Sequence, residues 1–318
     1  FLHEDNTVSS FGYNGQGQLG QGTNSNIGIP TKITTFGDIS ITQVSTSGPY
    51  STAGHTLFLS SQGDVYSCGY NYYGQLGQGN TTNLNVPTKI EGLSNIKEVS
   101  AGGGSYPHSL VLHQDGTVSS FGANTYGQLG LGHKQNKYSP NSVLENSAWY
   151  SPISNIVSIS ASTTGHSLLL TSTGTVYCFG YNYRHQLGIS GSPRYAAENT
   201  AWIYPTLIQN LTNVSSIVAG PTYSLAIHDN KTVSVWGRAD YYNLNDLIIP
   251  GYNGGDGSNP PIKEPTLIPR LNNVSSIVAT RHNCMFLIDE QAVKFNSNLQ
   301  QNETMIIDIL GTVSDIQH

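Results

Sequence analysis

Short runs of alternating apolar and polar residues, separated by turns rich in Gly and Asn, extend along most of the chain. Between Ile96 and Gly122, IKEVSAGGG predicts a strand that enters a turn, and HSLVL predicts a second strand facing a core. QDG then predicts a hairpin turn and TVSSFG a third strand, while segments such as PTKI at 87–90 predict an outer strand. Nothing in the pattern suggests a helical protein, so we expect an all-β fold.

A longer repeat contains these strands. The motif G-x-N-x-x-G-Q-L-G recurs, and its first position in successive copies is Gly12, Gly69, Gly122, Gly180, Gly237 and, in a degraded sixth copy, Ser297. The intervals are 57, 53, 58, 57 and 60 residues. This period, with four strand-sized segments in each copy, is typical of propeller blades, because one small sheet cannot bury both faces alone. We predict a single β-propeller domain over residues 1–318 with four-stranded blades, six repeats being visible and seven the alternative.

The two ends of the chain are complementary parts of one repeat. FLHEDNTVSSFG at 1–12 aligns with VLHQDGTVSSFG at 111–122, and MIIDILGTVSDIQ at 305–317 aligns with PTLIQNLTNVSSI at 205–217. We expect the N- and C-terminal strands to pair within one blade, because such pairing closes the ring and removes exposed strand edges.

One copy of the repeat contains GQGQLG at 15–20, which matches the G-x-G-x-x-G fingerprint of dinucleotide sites. Such a site needs a helix after the glycines, because the helix N-terminus supplies amide donors to the phosphates. Here a polar, Gly- and Asn-containing run follows and ends in Pro30, and the next two copies replace the first glycine with Tyr72 and Thr125. We therefore expect no nucleotide site and assign these glycines to turns.

The composition narrows the choice of partner. Charged residues make up only 10% of the chain, the formal net charge is −6, and no run of Lys or Arg is present. These values argue against binding to nucleic acid or to an anionic membrane. No apolar run approaches the roughly 18 residues of a membrane span. We expect a monomer whose partner is a protein or a small molecule.

No residue pattern for bond-making chemistry is visible, and we predict no catalytic residues, no metal site and no cofactor. His55, His108 and His166 recur at equivalent strand positions. A ring of imidazoles could bind a metal, but hydrogen bonding within the inner strands is the favoured interpretation. The three cysteines are odd in number and lie in strand-like segments of different repeats, which is compatible with an intracellular, reducing environment.

Tyrosines form the most informative cluster. They lie in the loops that precede or replace G-Q-L-G, and in the fifth copy they follow an aspartate. These residues are Tyr13, Tyr70, Tyr72, Tyr73, Tyr126, Tyr181, Tyr183, Asp240, Tyr241 and Tyr242. Equivalent loops of a propeller emerge on the same face, and tyrosine supplies a large contact area with a polar tip. The sequence therefore predicts a protein-binding surface made by these residues.

Three insertions interrupt the repeats. ENSAWYSP at 145–152 and ENTAWIYP at 198–205 contain Trp149 and Trp202, which we interpret first as packing over strand edges and second as additional contacts. The longer loop at 238–261 mixes apolar and Gly-rich residues and is the best candidate for a specialised contact.

The repeats resemble those of the regulator of chromosome condensation family. Its members build propellers, most often of seven blades, from units that contain G-x-N-x-x-G-Q-L-G and A-G-x-x-H-S-x-x-L. The resemblance covers essentially the whole chain. It is strong in the first three copies, recognisable in FGYNYRHQLG at 179–188 and weak in WGRADYYNLN at 236–245.

The resemblance implies a protein-binding propeller that engages and activates the small GTPase Ran, because the founding member is a guanine-nucleotide exchange factor for Ran. In the family, acidic side chains that serve exchange lie at the Asn position of G-x-N and just before the strand histidine. Here these positions hold Asn14, Asn71, Asn124 and Asn182, and Gly54, Pro107 and Gly165. Only Asp240, in the fifth copy, lies near such a position. Enzymatic activity, at most nucleotide exchange, therefore stays open.

The alternative is a non-enzymatic scaffold or inhibitor that binds another protein. Ultraviolet sensing, as in the plant photoreceptor of this fold, is set aside because the chain has only three tryptophans, in dissimilar contexts. The Asn-rich, charge-poor composition looks like bacterial members of the family, including secreted Legionella effectors that act on the host Ran system. This resemblance implies an effector that acts inside the host cytoplasm.

Overall fold

A computed structural model of the chain describes residues 1–48, 54–144, 153–189, 202–238, 261–269, 271–279, 283–288, 291–296, 305–307 and 313–314. Within these ranges the secondary structure consists of β-strands joined by turns, without helices. The described residues accordingly contain no helix that is long and apolar enough to cross a membrane. The predicted all-β class is confirmed.

The strands form six sheets in chain order. The first sheet contains β1 (Ser9–Gly12) and β2 (Ile27–Lys32). The second contains β3 (Ile41–Thr46), β4 (His55–Ser60), β5 (Val65–Gly69) and β6 (Leu84–Lys89). The third contains β7 (Ile96–Gly102), β8 (His108–His113), β9 (Val118–Gly122) and β10 (Lys137–Ser142).

The remaining sheets follow the same order. The fourth contains β11 (Ile156–Ala161), β12 (His166–Thr171), β13 (Val176–Gly180) and β14 (Trp202–Leu207). The fifth contains β15 (Val214–Ala219), β16 (Tyr223–His228), β17 (Val233–Gly237) and β18 (Ile262–Leu267). The sixth contains β19 (Val274–Ala279), β20 (Asn283–Ile288), β21 (Gln291–Asn296), β22 (Met305–Ile307) and β23 (Val313–Ser314).

Four of these sheets have the predicted four strands, each paired with its neighbour in the chain. Every strand pair with a recorded register is antiparallel, for example Leu110 of β8 opposite Ser120 of β9. A meander of four antiparallel strands is the unit of a propeller blade. The four-stranded blades predicted from the repeat are therefore confirmed.

The first and sixth sheets differ from this pattern. Beside β1 the structure has one isolated bridge, between Leu2 and Val8. In the sixth sheet, β23 pairs with β22 and gives a fifth strand, which covers backbone groups that an edge strand would leave unpaired. Closure of a ring by pairing of residues 1–12 with 305–317 stays a prediction.

The chain divides into two compact units. The first contains residues 1–172, 177–181 and 200–206, and the second contains residues 173–176, 182–199 and 207–318. The prediction of one domain over residues 1–318 stays a prediction.

In the first unit, strands are buried on both faces because each face packs against a different sheet. All six residues of β4 are buried. Leu57 and Leu59 pack with residues of the third sheet such as Val111, whereas Phe58, on the other face of β4, packs with Val8 and other residues around the first sheet. Successive side chains of a strand point to opposite faces, so the run TLFL supplies two neighbouring cores at once. This explains why these strands are apolar runs rather than simple alternations.

The outer strands protect the sheet edges with proline. In five sheets the last strand of the repeat has proline at its fourth position. These residues are Pro30, Pro87, Pro140, Pro205 and Pro265. Proline cannot donate a backbone hydrogen bond, so these edges are poor templates for a further strand.

Candidate functional site

The G-Q-L-G loops, which join the third and fourth strands of each repeat, are closed by buried amide side chains. In the second repeat Asn71 Oδ1 accepts from Leu76 N at 2.9 Å, and Asn71 Nδ2 donates to Asn80 O at 3.0 Å. Gln75 Oε1 accepts from Tyr73 N at 3.0 Å. The bond to Asn Oδ1 recurs at Asn14, Asn124 and Asn182, and the bond to Gln Oε1 recurs at Gln18, Gln128 and Gln186. The donation by Asn Nδ2 recurs at Asn14 and Asn124. The loop backbone that carries the tyrosines is therefore fixed within each repeat.

Among the described residues, three of these loops are bonded to the next sheet at two points, and the loop that contains Gln186 is bonded at one. Gln75 O accepts from Ser109 Oγ of β8 at 2.8 Å, and Gly79 N donates to Tyr138 O of β10 at 2.8 Å. The other hydroxyl bonds to a glutamine carbonyl join Thr56 to Gln18, Ser167 to Gln128 and Ser224 to Gln186. The other glycine bonds join Gly22 to Asn85 and Gly132 to Ile203. These bonds join each loop to the sheet that follows it.

Glycine at the start of G-Q-L-G is required by both its conformation and its neighbours. Gly74 has φ +83°, and a Cβ there would lie 2.6 Å from Tyr138 Cα of the next sheet. Gly17 has φ +84°, and a Cβ there would lie 2.5 Å from Asn85 Cα. The glycines at 15–20 therefore lie in a turn packed against a neighbouring strand. They do not open a helix that could hold pyrophosphate.

The strand histidines extend the same hydrogen-bond chain. His55 Nε2 lies 2.9 Å from Ser109 Oγ, and His108 Nε2 lies 3.0 Å from Ser167 Oγ. Each serine proton is directed to a glutamine carbonyl, so the imidazole Nε2–H must be the donor in these pairs. The favoured interpretation of these residues as hydrogen-bonding groups agrees with this geometry.

Burial keeps these histidines neutral. Loss of hydration lowers the pKa of His55 and His166 to about 3 and that of His108 to about 4. Among the residues that the structure describes, no three His, Cys, Asp or Glu side chains gather as ligands for a metal ion.

The cysteine thiols are also buried. Cys68, Cys178 and Cys284 are free cysteines, and burial raises the pKa of each thiol, that of Cys284 to about 12. A thiol with such a pKa is protonated at neutral pH and is a poor nucleophile.

The predicted tyrosines form two ring clusters in the first unit. Tyr70 and Tyr72 are nearly parallel, with ring centroids 6.4 Å apart, and Tyr73 meets Tyr72 edge to face at 5.0 Å. In the other cluster Tyr126 and Tyr181, from neighbouring repeats, have centroids 4.5 Å apart. The structure thus brings together five of the predicted residues.

Tyr106, which the sequence reasoning missed, completes the second cluster. Its ring lies 4.6 Å from that of Tyr126, and Tyr126 OH donates to Tyr106 OH at 3.1 Å. Tyr106 lies in the β7–β8 connection, and in an antiparallel meander this connection lies at the same sheet end as the β9–β10 loop that carries Tyr126. The sequence feature that could have identified Tyr106 is its position two residues before the strand histidine His108. Burial raises the pKa of the Tyr126 hydroxyl, and the hydrogen bond to Tyr106 raises it further.

The other predicted residues lie apart or outside the described ranges. Tyr13 is 47% exposed in the first G-Q-L-G loop, and Tyr183, in the second unit, lies under the Arg184 guanidinium with 4.9 Å between Cζ and the ring centroid. Asp240, Tyr241 and Tyr242 lie outside the described residues, as do Trp149 and most of the 238–261 loop. Trp202 is the first residue of β14 and is half-buried.

The repeated sheets and their G-Q-L-G loops define a β-propeller protein. The family model described as the RCC1-like domain matches residues 1–296, and the chain belongs to this family. The family suggested by the repeats is therefore confirmed.

Relatives share the repeats over part of their length. The chain is 29% identical over 272 residues to the E3 ubiquitin-protein ligase HERC2 of Homo sapiens, with 84% of this chain and 5% of that protein aligned. It is 28% identical over 235 residues to the ultraviolet-B receptor UVR8 of Arabidopsis thaliana, with 73% and 49% aligned. The chain thus spans less than half of either relative.

Solved structures show the same fold. Yeast RCC1 (Prp20), in its complex with Kap60, matches with a TM-score of 0.70 at 20% identity over 96% of this chain and 70% of that one. Prp20p from Saccharomyces cerevisiae, solved together with a study of its binding to Gsp1p and histones, matches with a TM-score of 0.60 at 25% identity over 79% and 55%.

The packing of the G-Q-L-G loop predicts unequal costs for two glycine replacements. Gly92 has φ +80°, close to that of Gly74, but a Cβ there would meet nothing within 4 Å. Gly92→Ala should lower the free energy of unfolding by roughly 1–2 kcal/mol through backbone strain alone. Gly74→Ala should cost about 1–3 kcal/mol more, because its methyl group overlaps the next sheet. Urea denaturation of both variants measures the difference, and equal costs would refute the packing role.

The buried histidines predict acid destabilisation. Because the native pKa of His108 lies below the ordinary value of 6.5, the unfolded chain takes up a proton that the native protein excludes. Stability should therefore fall as the pH is lowered from 6.5 towards 4, by on the order of 2 kcal/mol from this residue. His108→Gln, which retains a donor for Ser167, should lose less stability across this range. Urea midpoints at each pH test this, and parallel profiles for the two proteins would contradict it.

Proposed function

We propose that this propeller binds a folded protein through the tyrosine-bearing loops of its first unit, with the small GTPase Ran as the leading partner. The observation that carries the proposal is the gathering of six tyrosines from neighbouring loops into two ring clusters. Tyrosine is enriched among residues that dominate protein interfaces, because it adds a large contact area at a low cost in side-chain entropy.

The hydrogen-bonded loops suit this role. Tyr72 is 65% exposed, while the backbone amide of the adjacent Tyr73 is held by Gln75 within a loop bonded to the next sheet. A rigid loop loses little conformational entropy when a partner binds. The clusters therefore support binding to a preformed protein surface better than the folding of a flexible segment around them.

Ran is the partner that membership in this family supports. An exchange factor needs no covalent chemistry, since it acts by binding the nucleotide-free state of its partner more tightly than the loaded state. In this proposal Asp240 and the 238–261 loop supply the acidic contact that favours the nucleotide-free state. Action as a bacterial effector within a host cell is part of the same proposal and rests on composition.

A passive scaffold or inhibitor is the second candidate, and a specific observation favours it. The Asn positions of G-x-N, where the family carries acidic side chains for exchange, are held here by Asn14, Asn71 and Asn124, which are fully buried. Their side chains close the loops and are not available to a partner.

Replacing the exposed Tyr72 and the half-buried Tyr73 should separate binding from stability. The double variant Tyr72→Ala and Tyr73→Ala should raise the dissociation constant for Ran about 30-fold or more, corresponding to roughly 2 kcal/mol, the scale of interface hot spots. Ile29→Ala is the control, because Ile29 is 72% exposed on the outer strand β2 of a different sheet. Binding is measured by calorimetry with Ran that is GDP-loaded, GTP-loaded or nucleotide-free.

Release of labelled GDP, followed on the same samples, distinguishes the two candidates. An exchange factor accelerates release and loses this effect when Asp240→Ala is introduced, whereas a passive binder leaves the release rate unchanged. Failure of Ran to bind in all three states, with the propeller shown to be folded, would eliminate Ran as the partner.

A further inference from the structure

Charged side chains are divided unequally between the two ends of the sheets in the first unit. We call the end with the β5–β6, β7–β8 and β9–β10 connections the tyrosine end, because both ring clusters lie there, and the opposite end the turn end. The loops at 70–83, 103–107 and 123–136 contain no Asp or Glu. The ionisable groups other than tyrosine there are His133 and Lys134, and Lys137 begins the strand that follows.

The turn end carries the carboxylates. The hairpin turns and the connections between successive sheets at this end contain Glu4, Asp5, Asp38, Asp64, Glu91 and Asp115. Asp5 and Asp115 accept bonds from the threonine two residues later, and Asp64 pairs with Lys89 at 2.9 Å. These bonds hold Asp5, Asp64 and Asp115 at the turn end.

Lys137, the first residue of β10, lies next to both tyrosine loops. Lys137 lies opposite Gly122, at the start of the loop that carries Tyr126. Its main-chain oxygen would lie 2.9 Å from a Cβ on Gly74, the residue that follows Tyr73. Its backbone thus borders both tyrosine loops.

The tyrosine hydroxyls add donors to this end. Because Tyr126 OH donates to Tyr106 OH, the Tyr106 hydroxyl retains its own proton for a further acceptor. Burial keeps the Tyr126 hydroxyl protonated by raising its pKa. Loops that carry these donors and contain no carboxylate, as at 70–83, 103–107 and 123–136, fit a partner that presents acceptors.

We infer that the tyrosine end of the first unit receives a carboxylate-rich surface of its partner, with Tyr106 and Lys137 among the contacts. The inference rests on the proposed function and specifies the chemistry of the partner at that site. The turn-end carboxylates repel such a surface, so the same charges orient its approach towards the tyrosines.

Two peptides of opposite charge test, without Ran, whether the tyrosine end prefers a negatively charged partner. A glutamate-rich peptide and a lysine-rich peptide of equal length are titrated at low salt into the protein with labelled tyrosine rings. Signals are assigned with Tyr106→Phe, Tyr126→Phe and Tyr181→Phe. The glutamate-rich peptide should shift the signals of these three rings, and the lysine-rich peptide should not.

Charge reversal locates the effect. The pair Lys134→Glu and Lys137→Glu should weaken binding of the glutamate-rich peptide at least about fivefold, because two attractions become repulsions at short range. The pair Lys32→Glu and Lys97→Glu makes the same charge change towards the turn end and should have less than half this effect. Equal losses in the two variants would overturn the inference.

The outcomes separate this inference from the proposed partner. If the glutamate-rich peptide shifts the signals of the three tyrosines but the protein does not bind Ran, the inference is supported and Ran is eliminated as the partner. Equal or larger shifts with the lysine-rich peptide, or no shifts with either peptide, would overturn the inference, even if Ran bound through Tyr72 and Tyr73.

Discussion

The structure depends on the hydrogen bond between a strand hydroxyl of one sheet and the main-chain carbonyl of the glutamine in the preceding G-Q-L-G loop. This bond occurs in four successive repeats, from Thr56 to Ser224, at 2.8 Å each time. It joins the loop to the second strand of the next sheet, and in three of these loops a glycine amide also bonds to the outer strand of that sheet. The close approach of the loop glycines to the next sheet and the histidine–serine hydrogen bonds both require the distance between sheets that these bonds fix.

The same constraint explains why neutral polar residues fill these positions. A buried asparagine both accepts from Leu76 N and donates to Asn80 O, whereas a carboxylate could only accept and would carry a buried charge. Substituting aspartate at Asn71 would therefore lose a bond and add a desolvation cost. Neutral amides and hydroxyls therefore join the sheets at these loops.

Much of the fold could be predicted from the sequence, because strand alternation and the glycine turns are local and recur in each repeat. The repeat also indicated that the tyrosine loops share one end of their sheets. The contact of Tyr126 with Tyr181 depends on the spacing between repeats, and Tyr106 belongs to a connection whose sequence, GGGSYP, is not repeated. The β22–β23 pairing was missed for a related reason, since the alignment of 305–317 predicted partners in another part of the chain.

We conclude that the repeated residues of the G-Q-L-G loop join neighbouring sheets and thereby hold the tyrosines rigidly. Native-state amide hydrogen exchange at Gly79 and Gly132, whose N–H groups donate to the next sheet, tests it most directly. We expect exchange as slow as that of Leu110 in the buried strand β8, because each bond should open only when the sheets separate. Exchange at these glycines by local opening, orders of magnitude faster than at Leu110, would contradict it.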